Sequence, residues 1–82
     1  MDKQTHKLKT LTDHFVDVVR RRKRAEIRKN DRDFKRGDYL ILQDFDGEKL
    51  TGREHKVMIT HILNGGQHGI DKDYALLSII SC

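Results

Sequence analysis

Residues 21–38 read Arg-Arg-Lys-Arg-Ala-Glu-Ile-Arg-Lys-Asn-Asp-Arg-Asp-Phe-Lys-Arg-Gly-Asp. From Lys23 to Lys29 the side chains alternate with the two-residue period of a strand. One face carries Arg24, Glu26 and Arg28; the other carries Lys23, Ala25, Ile27 and Lys29. Glu26 thereby shares a face with two arginines. A carboxylate so placed orients guanidinium groups, whose planar forks suit phosphates, carboxylates and base edges. Ala25 and Ile27 are expected to tie the stretch to a core, which makes it a site built on a scaffold and not a free basic tail. Asn30, Asp31 and Asp33 are turn formers that stop the strand. Phe34, alone among polar residues, reads as a core plug, and Lys35-Arg36-Gly37-Asp38 reads as a turn into the next strand.

Before this stretch, a short strand is expected around Leu8. Thr10 or Thr12 then caps a helix, with Asp13 near its positive end. Leu11, Phe15, Val18 and Val19 recur at helical spacing and form its apolar face. Arg20, Arg21 and Arg22 close it, where cations suit the negative end. After it, Tyr39–Phe45 is strongly strand-like, and Asp46-Gly47 signals a hairpin. Residues Arg53–Leu63 form a long alternating strand, with Val57, Ile59, His61 and Leu63 on one side and Lys56, Met58, Thr60 and Ile62 on the other. A flexible glycine-rich loop, residues 64–69, leads to a last strand at Tyr74–Ile80. The order is strand, helix, then four strands. Short turns between the late strands imply antiparallel pairing, and closure into a small barrel would remove exposed edges.

The chain has 82 residues, enough for one domain with a small core. Seventeen Lys and Arg against 13 Asp and Glu give a net charge of +4, which favours an anionic partner, nucleic acid first. The single cysteine, Cys82, excludes an internal disulfide and points to a reducing, cytoplasmic setting. The polar N-terminal stretch Met1-Asp2-Lys3-Gln4-Thr5-His6-Lys7 is unlike a signal peptide, and no apolar run reaches membrane-spanning length. His6, His14, His55, His61 and His68 lack metal-ligand spacing, so no metal and no cofactor is expected. His61 reads as a hydrogen-bonded, half-buried side chain. Phe15, Phe34, Tyr39, Phe45 and Tyr74 all have core or strand roles, leaving few platforms for stacking a single strand.

Lys23-x-x-Glu26-x-Arg28 resembles the Gly-x-Lys-x-x-Glu-x-Arg signature of the ASCH (activating signal cointegrator homology) domain, a branch of the PUA-like fold. The run from Glu26 to Phe34, then Gly37-Asp38-x-Leu40, Thr51-Gly52-Arg53-Glu54 and Gly65-Gly66-Gln67-x-Gly69-Ile70, resembles a small bacterial and phage subfamily of ASCH-like proteins, from about His6 to Ile80. The resemblance implies an α+β fold: a PUA-like small mixed or antiparallel β-barrel of about five strands with one main flanking helix, as a single domain over residues 1–82. It also implies a cleft beside the barrel where the signature residues gather to bind RNA. One departure is that the family glycine falls on Arg21, at a helix-ending turn that prefers glycine.

On this reading the binding residues for RNA or a modified nucleoside are Lys23, Glu26 and Arg28, with Gln67 and His68 on the loop. Arg28 contacts phosphate or a base edge, Lys23 supplies a point charge, and Glu26 orients them or accepts from a base amino group. Gln67 and His68 sit where a loop closes over a ligand, or they form an ordinary connection. An alternative follows from ASCH proteins that are amidohydrolases of N4-acetylcytidine and use a lysine, a threonine three residues later and a distant glutamate. Lys23 matches that lysine, while the threonine position holds Glu26, making Lys23 and Glu26 the catalytic candidates. A third reading is a bacterial or phage protein-interaction module. The expected partner is RNA or a nucleoside or nucleotide, with no membrane or metal, and the expected state is a monomer.

Overall fold

Alternation decides the first strand. In the computed structural model, which describes residues 3–82, β1 (Thr5–Leu11) turns His6, Leu8 and Thr10 inward and the intervening lysines outward. Met1 and Asp2, part of the polar stretch read from the sequence, lie outside the described residues. β1 is therefore a full strand, longer than the weak signal at Leu8.

The helix α1 (Thr12–Val19) follows without a break. Leu11 occupies the N-cap position, and no side chain caps the helix. Thr12 instead donates from Oγ1 to Asp44 Oδ1 at 2.6 Å. Phe15 and Val18 are buried, whereas Leu11 and Val19 stay exposed, so the apolar stripe is narrower than its spacing predicted. The helix ends at Val19, before the arginines. Arg21 has φ 62°, the left-handed conformation that glycine prefers. The arginine thus makes the glycine-type turn itself.

The strands β2 (Ala25–Lys29), β3 (Tyr39–Phe45), β4 (Leu50–Asn64) and β5 (Tyr74–Ser81) join β1 in one five-stranded sheet of order β1-β3-β4-β5-β2. β1 runs parallel to β3; all other pairs are antiparallel, including the late hairpins. The sheet curls into a half-barrel with α1 beside it, an α+β arrangement. Leu8, Phe15, Val18, Leu40, Leu42, Val57, Ile59, Ala75, Leu77 and Ile79 form the core inside the curl. Burying a large apolar side chain contributes about 1.5–3 kcal/mol.

The core also receives Phe34, whose ring meets His6 edge-on at 4.9 Å between centroids. His6 donates from Nε2 to Asp38 Oδ2 at 3.0 Å, and Asp38 accepts from the backbone N–H groups of Gln4 and Lys35. Phe34 is thus held as the predicted plug by a carboxylate that ties β1 to the start of β3.

Two facing assignments change. β2 begins at Ala25, so Lys23 and Arg24 precede it. Its inward residues are Glu26 and Arg28, opposite Leu77 and Ala75, while Ile27 points outward and is 60% exposed. Charged residues face the inside of the curl because their charges are paired there, and Ile27 does not anchor the core. In β4 the pairing with β5 moves from Ile59↔Ile79 to His61↔Ser78, so Thr60 is an extra, bulged residue. The alternation flips beyond it. Ile62 packs against the core and His61 is exposed, reversing the roles that strict alternation gave them.

Candidate nucleic-acid interface

β2 forms one edge of the sheet and β1 the other, and the curl brings them together. Arg28 spans the gap, donating from Nη2 to Thr10 Oγ1 at 3.0 Å and from Nε to Glu26 Oε2 at 3.1 Å. Arg32 adds a hydrogen bond to the Lys7 carbonyl at 2.7 Å. On its other oxygen Glu26 accepts from Lys23 Nζ, which also donates to the Ala25 carbonyl. The Glu26 side chain is 6% exposed. A buried carboxylate is costly unless paired, and these two cations supply the pairing. The signature residues thus form one chain, Lys23–Glu26–Arg28–Thr10, across the seam of the half-barrel.

Beside this chain lies a cavity of about 430 Å³ between the end of α1 and strands β4 and β5. Val18, Val57 and Ile79 supply apolar lining; Thr60 and Ser81 supply hydroxyls; Arg21, Lys23 and Arg24 supply positive charge. Lys23 alone belongs to both the cavity and the buried chain. An apolar surface with convergent cations suits a flat base carrying a phosphate. Arg24 is kept near the cavity by a hydrogen bond from Nε to the Arg21 carbonyl at 3.3 Å, and its own carbonyl accepts from Ile79 N–H at 2.9 Å.

Gln67 and His68 are placed elsewhere. Their loop joins β4 to β5 and abuts the Lys29 end of β2, through Asn30 N–H to the Asp73 carbonyl. The cavity abuts the other end of β2, about 16 Å away for a five-residue strand. Gln67 donates to the Asn64 carbonyl at 2.8 Å, and Gly66 N–H reaches the Ile70 carbonyl at 2.7 Å. The loop is closed on itself, and the structure does not bring Gln67 or His68 together with Lys23.

Besides Glu26 and Asp38, a third carboxylate is buried, at a position the sequence reading does not single out. Asp44, fully buried, accepts from Thr12 Oγ1, from Thr51 Oγ1 at 2.7 Å, and from Arg53 Nε and Nη2 at 3.1 and 2.8 Å. The Thr12 and Thr51 hydroxyls, with Arg53, hold its carboxyl below the usual value against the opposing effect of burial. Its signal was in the period of β3: Leu40, Leu42 and Asp44 fall on one face, and a carboxylate at a core position demands partners.

The outer face of the sheet carries no open stacking platform at Tyr39 or Phe45. Lys56 Nζ lies 4.2 Å from the Tyr39 ring centroid and Lys9 Nζ 5.2 Å from that of Phe45. No helix among the described residues is long and apolar enough to cross a membrane.

An uncharacterised 12.9 kDa protein in the GpA 3′ region of Escherichia phage P2 is similar to this chain, with 40% identity over 57 residues. Those residues are 70% of this chain and 52% of the phage protein, so the match spans about half the relative's length. Residues 5–79, nearly all of the half-barrel and its helix, match the family described as Domain of unknown function (DUF3850), and the chain belongs to that family.

Proposed function

We propose that the chain is an ASCH-like domain of the PUA-like type that binds RNA or a modified nucleoside in the cleft between α1 and strands β4 and β5. The observation that carries this reading is the juxtaposition of Arg21, Lys23 and Arg24 over Val18, Val57 and Ile79 in a cavity of nucleotide scale. Lys23 presents the point charge. Glu26 positions Lys23, and Arg28 and Thr10 position Glu26. On this reading Arg28 acts through the buried chain, not as the phosphate contact that the resemblance implied. Arg21 and Arg24 take that contact.

The hydrolase reading draws less support from the geometry. Both oxygens of Glu26 are engaged by cations, and a general base needs one of them free to take a proton.

A thermal-shift screen against nucleosides, N4-acetylated nucleosides, nucleotides and short structured RNAs, at two salt concentrations, tests the proposal. A rise in melting temperature with one of these ligands, lost in Arg24→Gln, is the expected result. An equal response in wild type and Arg24→Gln would remove the cleft from the account. No response to any ligand would favour a protein partner. Turnover of an acylated nucleoside, abolished by Glu26→Gln with the fold intact, would move the hydrolase reading forward.

A further inference from the structure

Against a different face of α1 from the cleft lies a second depression, of about 260 Å³, lined by Phe15, Val16, Val19, Arg20 and Arg53. The helix separates the two: Val18 lines the cleft, while Phe15, Val16 and Val19 line the depression. Arg20 to Arg24 wrap the helix end between them.

Arg53 is unusually fixed for an exposed side chain. Its guanidinium lies over the Phe15 ring, 5.3 Å from the centroid, and both Nε and Nη2 donate to Oδ2 of buried Asp44. Asp44 is fixed in turn by Thr12 and Thr51. Arg53 is nevertheless 59% exposed along its side chain, and its Nη1 donates to no group among the described residues. Counter-charge for Asp44 requires only the bonded edge of the fork. The open edge is held rigidly at the surface beside Arg20, with its conformational freedom already lost in folding. Preorganised guanidinium donors next to an apolar floor recognise phosphate, with a base lying against the floor.

We infer that Arg20 and Arg53 form a second phosphate-binding subsite, so that the ligand is a single-stranded RNA segment of at least two nucleotides running from the cleft around the end of α1. This rests on the cleft reading above and deepens it, because a free nucleoside would leave the outer edge of the Arg53 guanidinium and the Arg20 side chain unengaged.

The test is fluorescence anisotropy with 5′-labelled hexauridylate, repeated over a range of salt concentrations, alongside competition by uridine monophosphate. The wild type is compared with Arg20→Gln and Arg53→Lys. Arg20→Gln removes no hydrogen bond of the described fold, and Arg53→Lys retains a cation for Asp44. Each variant is expected to bind the hexamer more weakly; Arg20→Gln, which removes a charge, also lowers the slope of log affinity against log salt by about 0.7, whereas Arg53→Lys keeps its charge and weakens binding by losing the guanidinium fork. Uridine monophosphate competition should stay as in the wild type. Hexamer affinity and salt slope unchanged in both variants would overturn the second subsite while leaving the cleft intact. A wild type that binds uridine monophosphate but gains nothing from the hexamer would also overturn it. Absence of binding by either ligand would overturn the cleft reading as well.

Discussion

Replacing Arg21 with glycine should stabilise the protein and weaken its ligand binding at once. Arg21 sits at φ 62°, where a side chain brings the Cβ too close to the carbonyl oxygen. That conformation costs about 1–2 kcal/mol for an ordinary L-residue. Glycine removes the cost but adds freedom to the unfolded chain, worth about 0.4–1 kcal/mol in the opposite direction. The side chain of Arg21 makes no hydrogen bond or ion pair with the described residues, so little else is lost on folding. At the centre of these ranges the net gain is about 0.8 kcal/mol, which for a domain of this size raises the melting temperature by about 3–6 °C. Arg21 also lines the cleft, so Arg21→Gly removes one of its cations. Differential scanning calorimetry of the free protein and a salt-dependent titration with hexauridylate measure the two effects separately. A melting temperature at or below that of the wild type would refute the claim of backbone strain. Unchanged affinity and salt slope would refute the claim that Arg21 faces the ligand.

The bulge at Thr60 predicts that Ile62→Ala destabilises by about 2 kcal/mol, whereas His61→Ala stays within about 0.5 kcal/mol in urea unfolding; the reverse order would restore strict alternation. Gly65→Ala should lower the melting temperature sharply, because the added methyl would overlap the Asp71 and Tyr74 carbonyl oxygens; a variant as stable as the wild type would show that the loop can open without cost. Acid should destabilise the fold in a defined window. At Asp38, burial raises the carboxyl, but the His6 hydrogen bond and the Gln4 and Lys35 amides outweigh it, leaving the value below 3.8. Asp44 is lowered by Thr12, Thr51 and Arg53, and Asp46 by the amides of Lys49 and Glu48. Carboxyls depressed by folding contribute fully above the unfolded value and lose that contribution as pH falls through it toward the folded value. Melting temperature should therefore hold from neutral pH to about pH 5 and fall steadily below about pH 4; a flat profile down to pH 3 would contradict these assignments.

The strands of the late sheet could be read from alternation because Leu40, Leu42, Val57, Ile59, Leu77 and Ile79 leave their polar neighbours on the other face. The reading failed where tertiary pairing overrode local pattern. Ile27 looked like an anchor, yet it faces outward, while the curl of the sheet brings Thr10 and Arg28 together from opposite edges with the Glu26 carboxylate facing inward. Nothing local in residues 23–29 states that β2 lies beside β5, or that β1 closes the other edge. At Thr60 a single inserted residue inverted the facing of everything after it, and a pairing register is invisible in one strand alone. Lys23, Glu26 and Arg28 are grouped by the resemblance to the ASCH signature; strand alternation alone places Lys23 on the other face. Arg21 reads as a helix-closing charge and Arg24 as a neighbour of Glu26 on the strand face, and only the gap between the end of α1 and strands β4 and β5 gives them a shared cavity. Gln67 and His68 could not be placed relative to Lys23 from sequence: a glycine-rich loop looks adaptable, but its position at the far end of β2 is set by the β4–β5 pairing.

The central claim is that the cleft between α1 and strands β4 and β5 receives the ligand. Its most direct test is a ¹H–¹⁵N correlation spectrum of the protein titrated with hexauridylate. The account predicts saturable shifts concentrated at Val18, Arg21, Lys23, Arg24, Thr60, Ile80 and Ser81, with smaller ones at Arg20 and Arg53. Shifts confined to the outer sheet face around Ile27 and Leu76, or to the loop at Gln67 and His68, would contradict it, as would a spectrum that does not change.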